Sequence, residues 1–280
     1  MTKIKIITDS SSDLTQEEIE KYDIEVIPMN VLIGEDSYID KVTITPKEFI
    51  EKMRLSEELP KTSQPSVGQF RQVFEKWRRN GFDIISIHIS SGLSGTAQAA
   101  QTAANMMADT NIKVVDSLFI SRALAYQVIE AANYVKQGKS IDEILAHIHN
   151  VRQNSHLYIN VETLENLVKG GRIGRGRALI GSLLKIKPIA TLTDGVYTPV
   201  AKARSHNKII QYYTNQVLSY VKTKQVKEIG IAHADALHLA NKIKSRILEY
   251  LDVNIVIIET TPIIATHTGA GAIGFMFYTD

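Results

Sequence analysis

The sequence predicts an α/β protein of two domains, an N-terminal mainly parallel α/β/α domain and a C-terminal α/β domain with a mixed sheet. Three observations predict it. Apolar runs of strand length alternate with helix signals through the first half, which implies parallel strands joined by βαβ crossovers. In the second half Asp194-Gly195 separates two β-prone runs, Lys187 to Leu192 and Val196 to Ala203. That is the strongest short-range hairpin signal in the chain, and it requires antiparallel neighbours. The change of character falls near Ser155, with no long linker between. Domains 1–155 and 156–280 are therefore expected to pack closely and leave a cleft.

Each element has its own signal. Lys3 to Ile7 reads as a strand, and Thr15 with Glu18 forms a capping box that opens a helix. Glu25 to Ile33 reads as a second strand. Thr45-Pro46 suits an N-cap followed by the first helical position, and Ser66 with Gln69 is a second capping box, leading into Phe70 to Arg79. A strand from Asp83 to Ile89, a helix from Ser94 to Ala108, a strand from Ile112 to Val115 and a long helix from Ser117 to Lys136 follow. Ser140 with Glu143 caps one more helix, ending near Asn154. The second half offers a strand from His156 to Val161, a short helix, a glycine-arginine stretch and the hairpin. Helices over Asn207–Tyr220 and Ala236–Leu251 then alternate with strands at Glu228–His233, Asn254–Glu259 and Gly274–Tyr278.

Composition narrows the function. A chain of 280 residues, 44% hydrophobic, can bury a substantial core, and a net charge of +2 does not suggest a nucleic-acid partner. Cysteine is absent, which removes disulfides, thiolate nucleophiles and cysteine-held metals. No run approaches the roughly 18 apolar residues of a membrane helix, and Met1 to Asp9 has no signal-peptide core. A soluble cytoplasmic protein is expected.

Four hydroxyl- or glycine-rich segments lie at strand ends or helix starts: TDSSSDL (8–14), KTSQPS (61–66), SSGLSGT (90–96) and THTGAGAIG (266–274). Each alone is ordinary turn chemistry; together they suggest one hydroxyl-lined site. Thr62, Ser63, Ser94 and the backbone N–H groups near Gly95 can bind the oxygens of a carboxylate or phosphate without a buried cation. His267, between two threonines and next to Gly269, is either a donor at that site or an idle loop residue. His88 alternates within a strand and reads as structural. The remaining histidines lack ligand spacing, so no metal is expected. The segment 169–204 carries eight cations against Asp194 alone, a balance of +7 that leaves −5 on the rest. It is either a solvated face or, through KGGRIGRGR, a surface for phosphate or an acidic partner. The stripe Ala97, Ala100, Ala103 and Ala104 signals close packing or room for an acyl tunnel. No P-loop, GxSxG elbow, HExxH or clean GxGxxG is present.

Read together, TDSSSDL, KTSQPS, SSGLSGT, Asp116-Ser117, ETLENLVKGGRIG (162–174), Lys187-Pro188 and THTGAGAIG resemble the DegV family of bacterial fatty-acid-binding proteins along essentially the whole chain. The final motif has Ala270 where the family most often has proline. The resemblance implies a long-chain fatty acid, such as palmitate or oleate, held between the domains. Its carboxyl group would rest on Thr62 and Ser94, with His267 close by. It also implies a carrier role: a separate ATP-dependent fatty acid kinase subunit phosphorylates the bound carboxylate, and the acyl phosphate enters phospholipid synthesis. An acyltransferase and transient membrane contact are further partners in this picture. Arg172 and Arg204 match the family's basic residues for phosphate or kinase contact, and no cofactor of the protein's own is implied. The alternatives are a stand-alone hydrolase or phosphotransferase using Ser94 and His267, and a lipid-sensing regulatory protein.

Overall fold

The computed structural model describes residues 3–107, 111–179 and 186–280. Met1, the helix end expected at Ala108, and Lys185 of the basic segment lie outside the described residues. The first half runs β1 (Lys3–Asp9), α1 (Gln16–Tyr22), β2 (Glu25–Ile27), β3 (Asn30–Ile33), β4 (Asp36–Ile39), α2 (Pro46–Leu55) and β5 (Lys61–Ser63). It continues with α3 (Val67–Arg79), β6 (Phe82–His88), α4 (Thr96–Met106), β7 (Ile112–Asp116), α5 (Arg122–Lys136) and α6 (Ile141–Gln153). The second half comprises β8 (Ser155–Asn160), α7 (Glu165–Lys169), β9 (Lys187–Thr193), β10 (Val196–Ala203), α8 (His206–Val221) and β11 (Val226–His233). It ends with α9 (Leu237–Leu248), β12 (Ile255–Glu259), α10 (Pro262–Thr268) and β13 (Ile273–Thr279).

The fold is the two-domain α/β arrangement expected. Strands β2-β1-β6-β7 form an all-parallel sheet, and β10-β9-β8-β13-β11-β12 form a mixed one. Strand alternation sorts the parallel sheet's side chains between two helical layers. Ile6, Ile85 and Ile87 face a cluster with Leu124, Val128 and Ile148 of α5 and α6, while Ile7 and Ile84 face Phe70 and Phe74 of α3 and the alanines of α4. The mixed sheet turns Ile229, Ile231, Phe275 and Phe277 toward α8 and α9. Its other face carries Leu157, Leu192, Ala232 and Met276 into a third cluster with Phe119, Tyr126 and Ile263. Capping boxes close at Thr15/Glu18, Thr45/Glu48, Ser66/Gln69 and Ser140/Glu143, so these helices begin where the sequence signals place them.

Three readings are corrected. The run Glu25–Ile33 is two strands: Pro28, which has no N–H for a ladder, separates β2 of the parallel sheet from β3 of a third, antiparallel sheet ordered β4-β3-β5. The long helix starts at Arg122 rather than Ser117, because Leu118 and Ser121 hold φ of 58° and 59° and the Ser117 hydroxyl folds the chain back onto Phe119. THTGAGAIG is only partly loop; its first three residues complete α10, capped by Thr261 with Pro262 at the first helical position.

Helix α5 joins the halves, and its contact with β11 depends on Gly230. A Cβ there would lie 2.8 Å from both Cβ and Cγ of Arg122 and 2.8 Å from the Tyr126 hydroxyl. Gly230→Ala is expected to lower stability by about 1–3 kcal/mol through overpacking, measured as a reduced midpoint in urea denaturation.

Candidate functional site

Between the two large sheets lies a cavity of about 280 Å³, at the lower edge of the roughly 300–1,000 Å³ usual for small-molecule sites. Its walls are chiefly apolar. Leu157 and Ile159 of β8, Leu192 of β9, Ala232 of β11 and Gly274 of β13 come from the mixed sheet, and Met29, Ile89 and Ile120 from the first half. Ile159, Gly274 and Ala232 are neighbours in register across three strands, so they form one continuous floor. Helix α10 adds Ile263 and Ile264.

Polar side chains interrupt this lining: Thr62, Ser63, Gln64, Ser94, Arg172 and His267, with Ser121, Thr260 and Thr268 besides. Pairing of Val31 with Thr62 in the small sheet sets the threonine opposite α10. There the Thr62 hydroxyl and His267 Nε2 share a hydrogen bond of 2.9 Å. Gly170 lies flat against the imidazole; a Cβ at that position would come within 3.0 Å of Cε1 and overlap Nδ1. His267 Nδ1 is buried with no hydrogen-bond partner. Burial, with the positive charge of Arg172 nearby, lowers the His267 pKa to about 4. The imidazole is therefore neutral at neutral pH.

This depression fixes a sign. The unfolded state takes a proton at about 6.5 and the folded state resists it until about 4, so the stability tied to His267 is complete above the first value and lost on acidification toward the second. An NMR titration of the His267 ring is expected to show no protonation above about pH 5, and His267→Gln should flatten the decline in stability between the two values.

Ser94 shares a 2.8 Å hydrogen bond with the Thr96 hydroxyl, and its N–H is tied to the Ser90 carbonyl. Gly95 is the N-cap of α4 and supplies no side-chain cap, so the first-turn N–H groups are available to an anion. The Gln64 side chain presses on Gly95, where a Cβ would sit 3.1 Å from its Cδ. Arg172 donates from Nε to the Leu93 carbonyl at 3.1 Å and from Nη1 to the Gly170 carbonyl at 2.7 Å. Its Nη2 bonds to none of the described residues.

Two buried devices hold the loops in place. Ser90 donates to the Gly195 carbonyl at 2.9 Å, and Gly92 approaches the same hairpin so closely that a Cβ would lie 2.6 Å from that carbonyl oxygen. SSGLSGT is thus clasped to the turn between β9 and β10. Behind it, Asp9 accepts from the Ile89 N–H at 3.0 Å and pairs with His88 Nδ1 at 3.0 Å, while His88 Nε2 meets the Ser86 hydroxyl at 2.6 Å. Burial works against the Asp9 carboxylate, but bonds from His88, Ser11 and Ile89 outweigh it and hold its pKa below the usual range. The chain does contain a Ser-His-Asp relay, though it is sealed in the core, with all three residues fully buried. It fixes the end of β6.

Of the residues singled out from sequence, Thr62, Ser63, Ser94, Arg172 and His267 line one cavity, with Gly95 adjoining. Arg204 lies elsewhere, exposed just before α8. The hydroxyl paired with His267 is that of Thr62, while Ser94 pairs with Thr96. The basic segment is less bare than its +7 implies: Lys187 pairs with Glu162, Lys169 with Glu165, and Arg175 with Asp194. The alanines of α4 pack against Phe70 and Phe74 and do not line this cavity, which favours the close-packing reading of that stripe. Sequence reasoning missed the role of Gln64, the Ser90–Gly195 clasp and the His88 relay, since Gln64 and Gly95, Ser90 and Gly195, and Asp9 and His88 are each far apart along the chain. Among the described residues no group of three or more His, Asp or Glu side chains could hold a metal ion, and no helix is long and apolar enough to cross a membrane.

Comparison with known proteins agrees with this architecture. A DegV domain-containing protein of Listeria innocua is 44% identical over 282 residues, covering 100% of both chains. The structure of a DegV family protein from Thermus thermophilus, described as fatty-acid binding, superposes with a TM-score of 0.94 at 30% identity, covering 99% of this chain and 100% of that one. The Streptococcus pneumoniae fatty acid kinase B3 protein, solved loaded with linoleic acid, shares the fold with a TM-score of 0.85 at 22% identity, covering 99% of this chain and 100% of that one. The profile of the DegV family, described as uncharacterised protein, matches residues 3–280, and the chain belongs to that family.

Proposed function

We propose that this protein holds one long-chain fatty acid, with the carboxylate on Thr62, Ser63, Ser94, His267 and the N–H groups near Gly95, and the acyl chain along the apolar cavity. The carrying observation is that cavity: a chiefly apolar wall that presents the Thr62, Ser63 and Ser94 hydroxyls and a neutral imidazole. Fatty-acid binding by the Thermus thermophilus relative supports the same reading. In this proposal the ligand lies between domains 1–155 and 156–280, each supplying part of the cluster.

The protein then presents the carboxylate to a separate ATP-dependent kinase subunit. A carboxylate oxygen attacks the γ-phosphorus of ATP, ADP leaves, and an acyl phosphate results. Hydroxyl donors suit this task because they orient the head while leaving its charge available; a buried guanidinium fork on both oxygens would compete with the reaction. Arg172, already committed to two carbonyls, retains Nη2 for the phosphoryl group, and Arg204 is free to contact the kinase surface. Delivery to an acyltransferase for phospholipid synthesis, with transient membrane contact, completes the role. The bonding of His267 to Thr62 weighs against a hydrolase that uses Ser94 as its nucleophile.

The test is the mass of the molecule that co-purifies. Native mass spectrometry of protein from bacterial cells is expected to show a one-to-one fatty acid adduct. Apoprotein that also fails to take up added palmitate or oleate would exclude the reading.

A further inference from the structure

The mouth of the fatty-acid cavity carries a side chain that the proposed head-group contacts leave unused. Gln64 lines the cavity and is also exposed to solvent, so it spans the opening. Its backbone is held from both sides: Ser63 pairs with Asn30 in the small sheet, and Ser66 caps α3. Between them Pro65, which is buried, confines Gln64 to extended backbone. From this fixed point the carboxamide lies against Gly95, where a Cβ would overlap Oε1 and sit 3.1 Å from both Cδ and Nε2. A side chain at position 95 would displace it.

Hydrogen-bond donors are scarce at this point. Ser94 shares its bond with Thr96, Thr62 shares one with His267, and two of the Arg172 nitrogens are committed to the carbonyls of Leu93 and Gly170. The Gln64 carboxamide bonds to none of the described residues, so it keeps both of its N–H donors. It keeps them beside the first turn of α4, which has no side-chain cap. A carboxylate resting there can accept about four hydrogen bonds.

Resting on the fatty-acid reading above, we infer that Gln64 is a further head-group residue: its Nε2 donates to the carboxylate oxygen nearer the opening and fixes the direction in which that oxygen faces the phosphoryl group. A neutral donor favours the ionised head without cancelling its charge. The proline-locked backbone on one side and Gly95 on the other leave the carboxamide little freedom to turn away.

A titration of the bound head tests this without the kinase. The full-length protein and Gln64→Met, which keeps the length of the side chain and removes its donors, are loaded with palmitate labelled with carbon-13 at its carboxyl carbon. The carboxyl signal is then followed by NMR against pH. Arg172, Tyr197 and His267 are the titratable groups that line the cavity with it. All three are present in both proteins, so a difference belongs to Gln64. Loss of one hydrogen bond to the charged form is expected to raise the carboxyl midpoint by about one to two pH units in Gln64→Met, with palmitate still held. Gln64→Glu, which sets a like charge beside the head, should raise it as well. An unmoved midpoint in Gln64→Met with palmitate bound would overturn the inference and leave the fatty-acid reading standing, as would a midpoint in Gln64→Glu no higher than in the unaltered protein. Failure of the unaltered protein to hold palmitate would overturn both.

Discussion

Arg122→Ala is expected to cost about 3–5 kcal/mol of stability, the loss typical when one member of a buried ion network is removed. Arg122 is fully buried in the first turn of α5. Its guanidinium reaches Glu18 of α1 at 2.6 and 2.8 Å and Glu228 of β11 at 2.7 Å. One side chain therefore ties the parallel-sheet half to the mixed-sheet half. Truncation would leave two carboxylates facing a void, each stripped of its strongest donor. Arg122→Lys keeps the charge but not the fork, and should fall between. Chemical denaturation of the three proteins measures the series; a loss below about 1 kcal/mol for alanine would refute the assignment.

The same network predicts an acid limb. Burial alone would raise the Glu18 pKa, but the Arg122 bonds and charge and the Thr15 N–H outweigh it and leave it lowered from 4.5. A carboxylate depressed in the folded state stabilises above its unfolded pKa and loses that contribution as pH falls through the folded one. Stability of the unaltered protein should thus decline below about pH 4.5, and Arg122→Ala should remove this part of the decline.

Local signals were the legible part of the fold. Capping boxes and Asp194-Gly195 act within four residues, so Thr15, Ser66 and Ser140 began their helices and the hairpin closed as read. The small sheet was illegible for the opposite reason: Lys61–Ser63 is three residues long and becomes a strand only by pairing with Asn30–Leu32. Helix α10 is different, because Thr261-Pro262 repeats the pattern of Thr45-Pro46 and was available to any reader of caps. In the site, the motifs identified Thr62, Ser94 and His267 as candidates, but nothing in their spacing could say that His267 faces Thr62 rather than Ser94. That choice is made by β5 pairing with β3 and by Gly170 leaving room for the ring.

Under the proposed function, Thr62→Ala combined with Ser94→Ala should separate head from tail. Hydrogen bonds to a charged group contribute about 1.5–3 kcal/mol each, whereas burying roughly a dozen methylenes offers on the order of 10 kcal/mol before ordering costs. The double variant should therefore still carry a fatty acid through purification, with affinity lowered roughly 100-fold or more. Its carboxylate, however, would lose the two hydroxyls that fix its orientation, and His267 would lose the partner of Nε2. Phosphorylation of the bound lipid by the kinase subunit should fall well beyond the change in occupancy, because phosphoryl transfer depends on alignment of the attacking oxygen. Measuring turnover at saturating lipid isolates that effect. Normal turnover in the loaded double variant would show that these hydroxyls do not position the reacting group; loss of the lipid altogether would mean that the head, not the tail, dominates binding.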